Sequence, residues 1–328
     1  MAQPGRSPLS RVTGKLKTIG PYAIALAALA WVLHHTDRHQ FWMALQHAPI
    51  LWFLAISAVM MLLTCAADTF AMISVFGWFG CRIPYRDLYV VRASTYLLAI
   101  VNYHVGQAAI VGFLYRVWKV PLVRATGFIL FIIGVNIVTL FLLASAGASR
   151  ATGSLHWLRL VPLVCVAGGL AYAGLLKLAP RFLTERALFA PLFQMGIVGH
   201  IKGIVVRLPH IGVLLAWHFI ALRMFGVKVP PMAALLYLPA YFAVGNLPIN
   251  VNGLGVSQLV AVAFFARYGT EASVMAYSLS IAGVSIVLQL LLGFACLRRA
   301  AALGLSTEEV VAPDEEEAQA EGRAQVAS

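Results

Sequence analysis

Charge is what this sequence has least of. Only 11% of its 328 residues are charged, and 61% are apolar. A soluble domain carries about 25% charged residues. Acids are scarcest: residues 1–299 hold Asp37, Asp68, Asp87, Glu185 and Glu271 against 23 Lys and Arg. This excludes a soluble globular enzyme, a disordered chain and a nucleic-acid-binding domain, in spite of the net charge of +12. Catalytic signatures are missing too. There is no H-E-x-x-H, G-x-S-x-G or P-loop, and no pair of intramembrane carboxylates. The expectation is therefore a non-enzyme, with no catalytic residue, metal or cofactor. Cys65, Cys81, Cys165 and Cys296 show no C-x-x-C spacing and carry no redox information. His34, His35, His39 and His47 crowd a short outer loop and read as solvated side chains.

What is present is long apolar runs. About 20 apolar residues cross a bilayer, so this length allows about six to eight crossings. Eight stretches stand out: 18–34, 49–79, 93–114, 126–147, 158–178, 208–226, 232–266 and 272–297. The basic residues decide how they thread, because cytoplasmic loops collect Lys and Arg. Eight full crossings would put Arg116, Lys119, Arg124, Arg181, Arg186, Lys202 and Arg207 outside. If 93–114 and 232–266 instead enter and leave on one side, 17 basic residues fall inside and six outside. The fold expected is all-α: a polytopic membrane helix bundle with about six spans and two re-entrant broken-helix segments. Both termini are then cytoplasmic. Segment 187–206, apolar with basic ends, reads as an interfacial helix, or else as an extension of a neighbouring span.

The two re-entrant segments have the chemistry of broken helices. One contains Asn102, His104, Gly106 and Gln107. The other contains Asn246, Pro248, Asn250, Asn252, Gly253 and Gly255. Interrupted backbone at membrane depth is tolerated only against protein or a wet cavity. Residues 18–147 and 158–299 then each contain span, span, re-entrant segment and span. Three crossings per half make the second half start on the opposite face, which predicts an inverted repeat with a midplane site. Residues 1–17 form a basic cytoplasmic N-terminus. Residues 300–328, rich in Glu, read as a disordered acidic tail that could recruit a cytoplasmic partner.

Residues Asn246 to Gln258, NLPINVNGLGVSQ, resemble the signature of the lysylphosphatidylglycerol synthase transmembrane-region family of flippase-like membrane proteins. Residues Asn102 to Val120, with Gly106, Gln107, Leu114 and Arg116, resemble that family's other marker. The resemblance covers roughly residues 15–300. It implies an integral domain of the cytoplasmic (inner) membrane that moves or accommodates a lipid. In some members it is fused to a soluble aminoacyl-transferase domain. No segment of that size follows Ala300, so transferase activity is not expected. Two family acids are Gln107 and Gln258 here, and a family basic position is Ile110. Gln keeps the hydrogen-bonding shape of Glu without its charge.

The expected partner is a membrane lipid with an anionic headgroup, with homo-oligomerisation left open. Asn102, His104, Gly106, Gln107, Asn246, Pro248, Asn250, Asn252, Gly253, Gly255 and Gln258 would form the substrate site, and Arg92 and Arg116 would hold a phosphate. Asp68 is the one acid inside an apolar run before Glu271. It is a candidate coupling acid if buried, or a headgroup-level residue if its helix projects past the membrane. Asn136 and Gln289 read as interhelical hydrogen-bonders, and His218 and Arg223 lie near the outer end of their span, where Arg can snorkel.

Overall fold

The computed structural model describes residues 37–100, 102–245 and 256–305, together with His34. Among them are eleven α-helices and no strand. The helices are α1 (Arg38–His47), α2 (Ile50–Trp78), α3 (Tyr85–Ala99), α4 (Tyr103–Trp118), α5 (Leu122–Gly147) and α6 (Val161–Leu178). There follow α7 (Arg181–Thr184), α8 (Ala190–Met224), α9 (Pro231–Gly245), α10 (Val256–Phe265) and α11 (Glu271–Leu305). Proline sets many of the starts. Pro49, Pro84, Pro121 and Pro180 sit at N-caps, where the ring supplies no N–H and disfavours helix in the residue before it. Lys119 and Ala179 end α4 and α6 in the left-handed region, at φ 53° and 40°.

Five helices, α2, α5, α6, α8 and α11, are long and apolar enough to cross a membrane. At 1.5 Å per residue the 29 residues of α2 span about 44 Å, beyond a hydrocarbon core of about 30 Å. The chain is an integral membrane helix bundle. The apolar stretch 93–114 is not a continuous helix. It breaks at Ile100–Asn102, and the Asn102 side chain caps α4 by accepting from the His104 amide at 2.8 Å. Across the break α4 packs back on α3. A Cβ at Gly106 would meet Ala99 Cβ at 2.9 Å, so this approach requires glycine. In the stretch 232–266 the described residues form α9 and α10. Each of these four helices is too short to span.

Two sets of four elements emerge: long, short, short, long. They are α2–α5 and α8–α11. α2 and α8 run antiparallel, with Phe53 against Phe225 (centroids 5.3 Å apart), Trp217 Nε1 donating to Ser57 Oγ at 3.0 Å, and His210 donating to the Thr64 carbonyl at 3.3 Å. The other contacts are exchanged. α3 packs on α11, and α9 packs on α5. Each half's first short helix therefore lies against the other half's last long one. A Cβ at Gly293 would meet the Leu97 side chain at 2.6 Å, and one at Gly147 would meet the Leu236 amide nitrogen at 2.5 Å. This is the contact pattern of an inverted repeat. α6 joins the halves at the edge of the bundle and has no buried residue.

Three sequence expectations change. Residues 187–206 are not a separate interfacial helix. Gly196, at φ +55°, kinks α8, and everything after it continues into the span. The tail does not begin at Ala300, because α11 runs through Leu305. His39 and His47 lie on α1 rather than in a loop, since Asp37 accepts from the His39 and Gln40 amides and caps that helix. Residues 1–33 and 306–328 lie outside the described residues.

Candidate functional site

The buried apolar residues form two clusters. One is built on Phe53, Trp217, Tyr237, Phe265 and Tyr277, the other on Met72, Phe76, Ile110, Leu114 and Phe128. Four helices pass from one cluster to the other, and each carries polar side chains in between. On α2, Asp68 falls between Cys65 and Met72. On α3, Arg92 falls between Leu88 and Ala93. On α5, Asn136 follows Val135 and precedes Ala144. On α8, Arg207 and His210 fall between Ile204 and Leu214. A polar layer thus separates two apolar cores.

Asp68 is the centre of this layer and is fully buried. Arg92 Nε donates to Asp68 Oδ2 at 2.5 Å. Arg207 Nη1 donates to Asp68 Oδ1, and Arg207 Nε donates to Asn136 Oδ1 at 3.0 Å. His210 Nδ1 is 3.9 Å from Asp68 Oδ1. The guanidinium of Arg92 also lies 4.9 Å from the centroid of the Tyr96 ring. Both arginines are about 95% buried, at 5% and 4% exposure. The sequence reading put Arg92 and Arg207 among the cytoplasmic anchors. They are inside the bundle instead, which leaves fifteen basic residues against six. Asp68 is buried inside the bundle. It is ten residues from the end of α2, about 15 Å along the helix, and is enclosed by protein on all sides.

Two cations share one carboxylate. Bringing charge out of water is expensive unless a partner compensates it, and here one positive charge is left over. It borders a cavity of about 280 Å³. Its lining includes Arg92, Arg207, His210 and Asn136, together with His218, Tyr241 and Phe242, and Ser285 and Gln289 of α11. His218 is hydrogen-bonded to the Tyr277 hydroxyl at 2.6 Å. Its ring is held in the aromatic cluster. Arg223 is partly exposed, stacks on Phe219 and reaches the Val229 carbonyl.

No protein-family model, curated protein or solved structure matches this chain. The functional reading therefore rests on the residues themselves. Of the expected site residues, Asp68 and Arg92 are brought together, and Arg92 lines the cavity. Asn102 is a helix cap. His104 is exposed, and Gly106 is a close-approach position. Gln107 is buried but does not line the cavity, and Arg116 is exposed in the last turn of α4. Gln258 is fully buried beside Ser257, which does line the cavity. Asn246, Pro248, Asn250, Asn252, Gly253 and Gly255 lie outside the described residues. The sequence reading missed Arg207, His210, Tyr103 and Tyr241 as site residues. The one available signal was Arg207 and His210, three apart on one helix and so on one face of it.

Proposed function

We propose that this chain is a flippase-like transporter, moving or accommodating a lipid or lipid-linked substrate whose anionic headgroup enters the cavity beside Arg92 and Arg207. One observation carries the reading: two buried arginines share a single carboxylate in a polar layer between two apolar cores. Intramembrane ionisable residues are rare and mark substrate pathways. The pseudo-symmetric halves support it, since such repeats meet at a midplane site and exchange access by rocking. The resemblance to the lysylphosphatidylglycerol synthase transmembrane region points the same way. Asp68 has both oxygens engaged by arginines, which favours a counter-ion over a catalytic acid. The membrane proposed is the cytoplasmic one, with both termini inside. Reconstitution into liposomes carrying fluorescent anionic lipids tests the reading. Transbilayer redistribution is expected and should fall at least tenfold in Arg207→Gln. An unchanged distribution across the anionic lipids refutes it.

A further inference from the structure

The end of the bundle where α11 finishes carries a patch of unpaired positive charge. Two loops build it, one between α2 and α3 and one between α4 and α5. Their apolar side chains hold them together. Phe79 stacks on Phe128 with ring centroids 4.3 Å apart, and Ile83 and Val120 are buried in the same cluster. The basic side chains are left facing outward. Arg82, Arg86, Arg116, Lys119 and Arg124 are all exposed, and the same region holds one acid, Asp87. Helix α11 adds Arg298 and Arg299, both exposed. Its last turn lies beside α4: a Cβ at Gly304 would be 3.9 Å from the Phe113 ring, three residues before Arg116. Among the described residues every ion pair is centred on Asp68, so none of these seven cations has a carboxylate partner.

Leu305, the last residue of α11, is next to this patch, and the sequence that follows carries the opposite charge. Residues 306–328 hold Glu308, Glu309, Glu321 and the run Asp314–Glu317 against Arg323. The seven cations with Asp87, and these seven acids with Arg323, have equal and opposite net charge. Like charges crowded on one surface repel, and blocks of like charge often serve as interaction segments. Glu308 is three residues beyond Leu305 and Glu317 is twelve, so an extended chain reaches from about 10 Å to about 40 Å beyond the helix end. A tether of this length sets an effective concentration in the millimolar range. We propose that the acidic segment 308–321 docks on this basic face, an intramolecular anion that occupies it in place of acidic membrane lipid. Complementary charge supplies the specificity. Salt opposes it, because the screening length falls from about 10 Å at 0.1 M to about 3 Å at 1 M. The face lies outside the polar cavity, and the inference does not rest on the transport reading.

The test uses the full chain in phosphatidylcholine nanodiscs and a zero-length carbodiimide, which joins a carboxylate to a lysine amine only where the two meet. Lys119 is the lysine of the patch. Lys228 is the control, exposed beside the start of α11 and about 50 Å from the end of that helix. Mass spectrometry of the digested chain should find carboxylates of 308–321 joined to Lys119 at least about fivefold more than to Lys228. In 1 M salt that excess should fall to about twofold or less. Two variants probe the two sides of the contact. Asp314→Asn with Glu315→Gln, Glu316→Gln and Glu317→Gln should cut the linkage of Glu308, Glu309 and Glu321 to Lys119 by at least about threefold. Arg82→Gln with Arg86→Gln should lower it in the same direction, with the exposed side chains leaving the thermal midpoint unchanged. Mixing isotope-labelled with unlabelled chains separates the sources, and linkage confined to one isotope is expected. Mixed-isotope linkage assigns the face to a second copy and overturns the inference. Loss of linkage when phosphatidylglycerol is added to the nanodisc assigns the face to the lipid surface and overturns it too. Equal linkage to Lys119 and Lys228, or linkage indifferent to salt, does the same.

Discussion

Asp68→Asn is the sharpest perturbation the polar layer offers. The substitution keeps the shape of the side chain. It removes the charge that faces Arg92 and Arg207 and turns one acceptor into an amide NH₂. One guanidinium then meets a donor, and both lose their counter-ion. Hydrogen bonds to charged groups are worth about 1.5–3 kcal/mol each, and Asp68 accepts one from each arginine. Breaking a buried pair by removing one partner costs about 3–5 kcal/mol. At about 2 °C per kcal/mol for a chain of this size, the unfolding midpoint should fall by about 6–10 °C. Tryptophan fluorescence during heating in detergent measures it, with Trp217 buried in the neighbouring core. A second variant separates charge from packing. Asp68→Asn raises the cluster by one positive charge, and adding Arg207→Gln restores the original balance. The double variant should therefore unfold above the single one. A single variant within about 2 °C of wild type, or a double variant lower still, refutes the account of Asp68 as the counter-ion of two buried arginines.

Gly147→Ala should destabilise by about 1–3 kcal/mol, because its Cβ would press on the backbone of α9, with Leu236 N at 2.5 Å and Met232 O at 2.7 Å. Gly168→Ala on the open edge helix, with nothing within 4 Å, should instead be neutral or gain up to about 1 kcal/mol. Thermal unfolding of the two side by side checks the contrast. Ser57→Ala removes the acceptor of the Trp217 indole, and the midpoint should drop by an amount equivalent to about 0.5–1.5 kcal/mol. Single cysteines at Lys119 and Arg267 should react with impermeant thiol reagents from opposite faces of the membrane, since they follow α4 and α10, equivalent elements of inverted halves. Labelling of both from one face contradicts the inverted arrangement.

The helical bundle was legible because apolar runs of this length have few alternatives. The break at Ile100–Asn102 was legible as well, for asparagine is a strong N-cap and the polar run around it could not face lipid. Asp68 stood out as a lone acid. Arg207 did not, and the reason is physical. It lies downstream of Arg181, Arg186 and Lys202, where a basic residue looks like one more anchor. Only the antiparallel docking of α8 on α2 turns it inward, and that pairing is carried by Phe53 with Phe225 and Ser57 with Trp217, contacts between residues more than 150 apart. Apolar helices in lipid show no polar face to mark which side meets a neighbour. Asn136 and Gln289 were expected as interhelical hydrogen-bonders. Asn136 does accept from Arg207, whereas the side-chain oxygen of Gln289 is buried without a hydrogen-bond partner, in a residue that lines a cavity existing only once both halves are in place.

The three charges of the polar layer also have an order in time. Asp68 and Arg92 lie 24 residues apart on one half, and Arg207 follows Asp68 by 139. A ribosome therefore delivers a neutral pair first, which the membrane accepts at little electrostatic penalty. The surplus cation arrives only with the second half. In a half-made chain the polar layer is electrically balanced, and its net positive charge appears only when the two halves assemble.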